Sequence, residues 1–444
     1  MNPIERRAIV SLASLYAFRM LGLFMVLPVL VLYGDAYEAS TPLLLGLALG
    51  AYGFTQALFQ IPFGTLSDRI GRKPVIVMGL LIFALGSVVA ALADNIYGLI
   101  LGRSLQGAGA IAAAIMALVA DLTQDDNRTK AMASIGASIG VSFSVALVLG
   151  PALAQLGGMQ AIFAVTAGLA ILGIVIVWRF VPSPIMTAKR HRDTAPVPEL
   201  VSEVMSYGEL QRLNLGVFVL HGALMASFVA MPLVFEQSLG MDRSEHWMVY
   251  LPLLLLAFAV MVPFIIVAEK RRKMKSVFVG AVAVLAVSEL ALSQLLDSRW
   301  AFLLALFFFF VAFNLLEATL PSLMSKIAPA GAKGTASGVY STFQFLGAFA
   351  GGVGGGWLLQ EFGLEAVFMG AAICLLLWLL VAQNMKHPKH LTSIQVPLSD
   401  LNAEQADERF SGLPGVVEVL LIEEEQVAYL KVDPEVFDRT SLSS

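Results

Sequence analysis

The chain has 444 residues, of which 58% are hydrophobic and only 14% are charged, and its formal net charge is −4. A soluble globular protein is about half apolar and about one quarter charged, so this composition excludes an ordinary soluble enzyme and also a disordered chain. The small net charge gives no indication of a nucleic-acid partner, and we expect none.

Apolar runs of membrane-spanning length follow one another along the chain. A transmembrane helix needs about 20 predominantly apolar residues. Twelve runs meet that length, at 9–33, 43–66, 74–92, 97–120, 131–155, 160–180, 213–235, 247–268, 276–296, 301–325, 335–360 and 366–385. The sequence therefore predicts twelve transmembrane helices, called spans 1 to 12 here.

The placement of Lys and Arg predicts the orientation of these spans. Of the 28 Lys and Arg residues, 21 lie on one set of helix ends and loops, and only Arg243 and Arg299 lie on the other. Positive residues are concentrated in cytoplasmic loops. We therefore expect both termini to face the cytoplasm.

The first six spans resemble the last six. Three segments recur about 200 residues later in the chain: 24–28 at 228–232, 61–73 at 262–273, and 130–134 at 333–337. Parallel halves with a site between them near the midplane are a known transporter plan. The predicted domains are a six-helix bundle at 1–181, a cytoplasmic linker at 182–212 and a second bundle at 213–386.

The composition becomes that of a soluble protein after residue 386. Strands are predicted at 394–396, 416–422 and 427–432, and a helix ending near Phe410 lies between the first two. This β-α-β-β order predicts a small ferredoxin-like α+β domain at 387–444. It has no cysteine pair, because the only cysteine of the chain is Cys374, so a thiolate metal site is not expected. Regulation, ligand binding and self-association remain open as roles for this domain.

Ionisable side chains inside the spans are the candidate functional residues, because a charge at membrane depth costs several kcal/mol. Arg19 lies about 15 Å from the cytoplasmic helix end at about 1.5 Å per residue, and His221 and Glu317 lie at about 12 Å. Asn314 precedes Glu317 by three positions and shares its helix face. We expect Glu317 to exchange protons, His221 to relay them, and Arg19 to hold substrate or to modulate Glu317. The alternative is a static polar cluster that locks the two halves together.

The loop after span 2 carries a dense run of glycines and charges. Its sequence is GTLSDRIGRK, with Gly64, Asp68, Arg69, Gly71, Arg72 and Lys73 as the notable residues. The glycines permit a tight turn, and Asp68 suits the positive N-terminus of a neighbouring helix. Arg69 and Arg72 are suited to pair with Asp121 at the end of span 4.

This loop resembles the G-x-L-x-D-R-x-G-R-K signature of the major facilitator superfamily. Span 4 adds Arg103, Gln106, Gly107 and Gly109, similar to the R-x-x-Q-G-x-G pattern of that superfamily. Gly150 and Pro151 partly match the antiporter signature G-x-x-x-G-P, with Ala146 in place of its first glycine. Segments 19–22, 314–318 and 338–342 resemble the bacterial YajR-like subgroup, whose members carry a small cytoplasmic domain after span 12.

The resemblance covers essentially the whole chain and implies an all-α membrane protein with two six-helix pseudo-repeats. It places spans 1, 7 and 10 around a central cavity and gives Arg103 a part in proton coupling. The alternative for Arg103 is an arginine that snorkels or pairs two helices. It also places Asp68 near the start of span 11, close to Thr335. The loop would then act as a latch that holds the cytoplasmic side shut in the outward-open state, and the alternative is a purely topological role.

The predicted function is proton-coupled efflux of small lipophilic or cationic compounds across the bacterial inner membrane by alternating access. No phosphate-binding Walker loop is present, so the expected energy source is the proton gradient, with no cofactor and no metal. One alternative is a proton-coupled or facilitative carrier of sugars or other metabolites. Another is a membrane sensor that binds a ligand without transporting it. The expected partners are a small-molecule substrate, protons and the lipid bilayer.

Overall fold

The structure is a computed structural model that describes residues 2–123, 125–182, 200–386, 391–398, 403–422, 427–433 and 436–438. Most of the linker predicted at 182–212 lies outside these residues. Helices account for most of the described chain, and a small three-stranded sheet follows them.

Fourteen α-helices are described. They are α1 Pro3–Phe24, α2 Pro42–Ile70, α3 Arg72–Ala91, α4 Ile96–Ala108, α5 Ala112–Asp121, α6 Asp125–Arg179, α7 Val201–Ser206, α8 Gly208–Leu233, α9 His246–Lys270, α10 Met274–Gln294, α11 Arg299–Ile327, α12 Lys333–Phe362, α13 Leu364–Gln383 and α14 Ala403–Ser411.

Ten stretches of the described chain are helical, long and apolar enough to span a membrane. One of them is α6, which changes direction at Gly157 and Gly158, where the backbone leaves the helical region. Its limbs, 125–156 and 159–179, correspond to spans 5 and 6. The glycine-rich α12 has 30 residues and packs along the bundle between α2 and α8. With both limbs of α6 and with α12, the described residues make the twelve predicted crossings.

Helix α1 is shorter than span 1 at its distal end. It ends at Phe24, and residues 25–36 continue as turns and a short 3₁₀ helix. Pro28 explains this end, because a proline ring clashes with the carbonyl four residues earlier, which here belongs to Phe24. Span 4 is likewise divided into α4 and α5 at Gly109. A Cβ at Gly109 would lie 2.4 Å from the carbonyl oxygen of Gly79, so α3 approaches closely at this break.

Both termini of the helical bundle lie at one end, called the basic end here and defined by Arg7, Lys73 and Arg212. Arg7 and Lys73 donate to the carbonyl oxygens of Arg179 and Val181, at 2.8 and 2.5 Å. Arg212 donates to the carbonyl oxygen of Asn384 at 2.5 Å. The helix ends predicted to face the cytoplasm are therefore on the same side of the molecule.

The two halves meet tightly at the opposite end. Gly46 of α2 lies so close to α12 that an added Cβ would be 2.1 Å from the carbonyl oxygen of Gly352. Arg243 of the second half stacks on Tyr33 of the first, with its guanidinium carbon 5.2 Å from the ring centre. The same guanidinium binds Glu236 at 2.8 Å. These contacts close the opposite end of the bundle.

The C-terminal domain has the predicted β-α-β-β order. Strands β1 Thr392–Pro397, β2 Val416–Ile422 and β3 Val427–Val432 form an antiparallel sheet in the order β1-β3-β2. Helix α14 covers one face, where Phe410 packs with Ala428, Leu430 and Val432. The domain is therefore a small α+β unit attached to the helical bundle.

Candidate functional site

A central cavity of about 1500 Å³ lies between the two halves. It extends to the basic end, where Gly136 of α6 and Ser337 of α12 line it and are exposed. Because the opposite end is closed, the structure represents a conformation that is open at the basic end.

The cavity wall is mostly apolar. Of its described residues, only Glu317 and Lys333 carry a formal charge at neutral pH if His221 is neutral. Phenylalanine and methionine side chains supply much of the rest; the methionines are Met20, Met116, Met132, Met225, Met261 and Met324. Methionine is flexible and polarisable, and it is common at surfaces that accept several different ligands.

His221 and Glu317 face each other in the wall contributed by the second half. His221 Nε2 lies 3.5 Å from Glu317 Oε2 and 2.8 Å from Gln344 Nε2. His221 Nδ1 lies 3.2 Å from the carbonyl oxygen of Val217, which can only accept. The neutral ring assigned from this network therefore carries its hydrogen on Nδ1 and accepts from Gln344 at Nε2. A second proton would reside on Nε2, beside the Glu317 carboxylate.

Glu317 is accessible to the cavity. Its side chain is 37% exposed, whereas Oε2 itself is buried and has no hydrogen-bond partner among the described residues. Asn314, also in the wall, donates to the carbonyl oxygen of Phe310 at 2.8 Å. One oxygen of Glu317 is thus a buried acceptor beside His221 that a proton would satisfy, while the rest of the side chain is partly accessible from the cavity.

Arg19 lies in the first half and is almost fully buried. It donates to Gln56, whose amide donates to Gln60 at 2.6 Å, and Gln60 lines the cavity. Its Nε and Nη1 have no hydrogen-bond partner in the described part of the chain. Tyr16 lines the cavity within electrostatic range of both Arg19 and Glu317. The cationic group of one half and the acidic group of the other therefore act on the same region of the cavity.

Arg103 is fully buried in α4 and does not line the cavity. It donates to Gln106 at 2.8 Å and to the carbonyl oxygen of Ala48 at 3.3 Å. Its guanidinium carbon lies 5.2 Å from the ring centre of Tyr52, and that of Arg19 lies 5.9 Å from the same centre. Of these partners, Tyr52 lines the cavity.

Glu289 is a second intramembrane carboxyl group, outside this site. It is fully buried on α10 and accepts a 2.5 Å hydrogen bond from Ser227 on α8. Its partner is thus local to the contact between α8 and α10, and the residue lies away from the cavity wall.

Arg72 is the centre of the contacts made by the loop between α2 and α3. It forms an ion pair with Asp68, a 3.1 Å contact with Asp121 Oδ2, and a 2.7 Å hydrogen bond to Ser67 Oγ. Ser67 in turn donates to the carbonyl oxygen of Gly64 at 2.7 Å. Asp68 thus pairs with its own half of the protein in this conformation, which is open at the basic end.

The other residues of this loop differ in their surroundings. Gly71 adopts a φ of 99°, which favours glycine and lets α2 turn directly into α3. Arg69 is exposed and makes no hydrogen bond or ion pair with the described residues. Lys73 holds the end of α6 through Val181.

The second half contains an ion pair at the corresponding position. Lys326 on α11 binds both carboxylate oxygens of Glu269 on α9, at 2.7 and 2.9 Å, and Ser322 also donates to Glu269. The copy of the loop, at 262–273, lacks both glycines, which favours a purely topological role for its basic residues. The structure shows that its acidic residue joins two helices as well.

Gly150 and Pro151 lie in the first limb of α6. A Cβ at Gly150 would lie 2.4 Å from the carbonyl oxygen of Met25, so the chain that follows α1 packs directly on α6 here. Pro151 is tolerated within the helix. The pair therefore occupies a close contact between the first and fifth crossings.

Several polar residues of the site are absent from the sequence-based prediction: Tyr16, Tyr52, Gln56, Gln60, Tyr340 and Gln344. Gln56 and Gln60 are four residues apart and share a helix face. This spacing was an available signal, but uncharged amides lack the desolvation cost that identifies Arg19 or Glu317.

Comparison with known proteins gives two family matches. Residues 12–352 match the Major Facilitator Superfamily, and residues 393–444 match the YajR YAM domain. The chain is 49% identical over 441 residues to the inner membrane transport protein YajR of Escherichia coli (strain K12), covering 99% of this chain and 97% of that relative.

More distant matches agree on the fold. A crystal structure of a D-xylose-proton symporter superposes with a TM-score of 0.70 at 15% identity, over 87% of this chain and 98% of the other. The class H tetracycline resistance protein of Pasteurella multocida is 30% identical over 155 residues, 34% of this chain and 38% of that protein.

Proposed function

This chain is a membrane transporter of the major facilitator superfamily, similar to the YajR inner membrane transport protein, and from that premise we propose that it exports small lipophilic or cationic compounds in exchange for protons. Alternating access would expose the central cavity first to one side of the membrane and then to the other.

The observation that carries this proposal is the partly exposed side chain of Glu317 in a large apolar cavity, with one carboxylate oxygen that makes no hydrogen bond to the described residues. Apolar walls favour lipophilic molecules, and a carboxylate without a hydrogen-bond partner attracts a cation or a proton. The two ligands compete for one group, which is the simplest basis for antiport. The Pasteurella multocida relative is named a tetracycline resistance protein, which agrees with this class of function.

His221 and Arg19 would adjust the competition. A proton on His221 Nε2 would place a positive charge 3.5 Å from Glu317 and weaken its attraction for a cationic substrate. Arg19 acts from the other half through the region around Tyr16. Arg103 would help to fix the position of the Tyr52 ring, which it contacts from outside the cavity.

We also propose that the basic end faces the cytoplasm. The 21 Lys and Arg residues assigned to that side support this orientation, as does the placement of both bundle termini at one end. The cavity would then be open to the cytoplasm in this structure, as is needed to load a substrate for export.

A carrier of sugars or other metabolites is the second candidate, favoured by the fold-level match to a D-xylose-proton symporter. The amide groups of Gln60, Asn314 and Gln344 in the wall are donors and acceptors that a sugar would use. A sensor that binds without transport is the third.

Substrate-triggered proton movement tests these alternatives. Purified protein in liposomes with an imposed pH gradient and a pH-sensitive dye would receive a lipophilic cation, its neutral isostere or a sugar. We expect the cation to dissipate the gradient faster than the neutral isostere, and protein-free liposomes to show no effect. A response to the sugar alone would support the metabolite carrier. Saturable binding of a compound without proton or substrate movement would support the sensor.

The latch proposed for the loop between α2 and α3 is tested by Asp68→Asn. When the basic end closes, Asp68 would leave Arg72 for the N-terminus of α12, where a carboxylate gains about 0.3–2 kcal/mol from the helix dipole. In the open state Arg72 keeps its contacts with Asp121 and Ser67, so Asp68→Asn removes more stability from the closed state than from the open state.

We expect roughly two- to tenfold faster labelling of a cysteine at Ser341, in a Cys374→Ser background, by an impermeant maleimide from the basic end. Exposed Asp94, at the opposite end, provides the matched control Asp94→Asn. An unchanged labelling rate would leave the loop with a topological role only.

A further inference from the structure

The loop between α11 and α12 is buried although it lies at the end of a helical bundle. All five residues of 328–332 are buried. Loops normally run over the surface of a protein, because buried backbone needs hydrogen-bond partners. The cover over this loop is the C-terminal domain, which packs Tyr429 and Leu420 against the position of Gly331.

The covering surface is the face of the sheet that α14 leaves bare. Successive side chains of a strand point to opposite faces, so Val427, Tyr429 and Lys431 of β3 share the face away from α14. Tyr429 and Val427 form an apolar cluster with Ile422 of β2 and with Ala330 of the loop. Without this contact the domain would expose an apolar surface to water, to a ligand or to a second copy.

Two polar side chains orient the docked domain through three hydrogen bonds. Lys431 is 5% exposed, and its Nζ donates to the carbonyl oxygens of Lys326 and Ile327, at 3.0 and 3.3 Å. These carbonyls end α11, where helical carbonyls lack intrahelical partners and the helix dipole favours a cation. Glu418 Oε1 accepts from the backbone nitrogen of Ala330 at 3.2 Å. A free helix terminus and a loop amide are thus both satisfied by residues of the other domain.

We propose that the C-terminal domain is a conformational clamp, and that its docking on the α11–α12 loop favours the conformation open at the basic end. The loop leads directly into α12, which begins at Lys333 and lines the cavity with Ser337 and Ser341. Closure of the basic end by the proposed latch would bring the loop between α2 and α3 to the same start of α12. The docked domain occupies the five residues before that point, so docking and latching compete for one segment of the chain.

This clamp rests on the alternating access proposed above and makes a prediction of opposite sign to Asp68→Asn. A contact present in only one conformation stabilises that conformation by its own free energy. Removal of docking contacts should therefore close the basic end, whereas removal of the latch should open it. The clamp and the latch can be separated in one assay that needs neither substrate nor a proton gradient.

The test uses the full-length chain with Cys374→Ser and a single cysteine at Ser341. Lys431→Met with Glu418→Met removes the hydrogen bonds of both side chains while keeping their approximate length. We expect the labelling rate from the basic end to fall roughly three- to tenfold, the factor that one or two net hydrogen bonds provide. The matched control is Glu408→Gln, an exposed carboxylate on α14 of the same domain, which should leave the rate unchanged.

A loop-side variant makes the result independent of the domain's own stability. Gly331 has a φ of 70°, which alanine rarely adopts, and a Cβ there would press on Leu420 Cδ2 at 2.6 Å, so Gly331→Ala strains the docked loop without altering the domain. We expect the same fall in labelling. A misfolded domain would also be undocked and should give the same fall. Unchanged labelling in both the Lys431/Glu418 variant and Gly331→Ala would overturn the clamp, whatever the outcome of the transport assay.

Discussion

Glu317→Gln is expected to abolish the proton movement that a lipophilic cation triggers in proteoliposomes. The substitution preserves shape and polarity but removes the group that exchanges the proton, so coupled flux should fall to the level of protein-free liposomes. Binding of the cation should weaken about tenfold to a hundredfold, because a hydrogen bond to a charged group contributes about 1.5–3 kcal/mol. The neutral isostere should lose little affinity.

Glu289→Gln is the matched control for this prediction. Glu289 is also an intramembrane carboxyl group, but it is fully buried, bonded to Ser227 and outside the cavity wall. An amide oxygen can still accept from Ser227, so coupling should persist. Coupling that survives Glu317→Gln would keep the antiporter and transfer the proton site to His221, Arg19 or Arg103. Loss of coupling only in Glu289→Gln would refute the assignment to the cavity.

Gly351→Ala is expected to destabilise the second half of the transporter strongly. An added Cβ would lie 2.0 Å from the carbonyl oxygen of Gly222 on α8, which is backbone and has no rotamer to change. The two helices must separate, and overpacking of this kind typically costs about 1–3 kcal/mol or more. The apparent melting temperature of purified protein in detergent, followed by tryptophan fluorescence, should fall by several degrees.

Gly354→Ala gives the comparison on the same helix. Nothing lies within 4 Å of a Cβ at this position, and Gly354 is in the interior of α12. Alanine is about 1 kcal/mol better than glycine in a helix, so the melting temperature should stay constant or rise. Equal losses at both positions would mean that the close α8–α12 contact does not determine stability.

The twelve crossings are predictable from sequence because each apolar run is long enough to span the membrane. Helix ends are less predictable. Pro28 ends α1 at Phe24, whereas Pro62 and Pro151 lie inside continuous helices. Whether a proline ends a helix depends on which neighbouring groups satisfy the freed carbonyl, and this is a property of tertiary structure.

Only those residues of the candidate site whose burial in the membrane is energetically costly can be predicted from the sequence. Arg19, His221 and Glu317 are identifiable because charges are rare inside a membrane. The structure adds the contact between His221 and Glu317 and the separate environment of Arg103, neither of which follows from depth along a helix. The partners of Lys431 are more than 100 residues away in the chain. No local pattern distinguishes this lysine from any other on a soluble strand.

The close approach of α2 to α12 bears on which contacts would oppose a rocking motion of one half of the bundle against the other. Gly46, Gly50 and Gly53 place backbone against backbone along this seam. Helices that interlock through side chains form ridges and grooves, and sliding them moves side chains out of their rotamer wells. A contact made by glycine backbones has no side-chain ridges, so sliding α2 along α12 would require no change of rotamer at these positions. We therefore expect the barrier between conformations to arise at the basic end, where Asp68 would exchange Arg72 for the start of α12 and where Lys431 holds the end of α11.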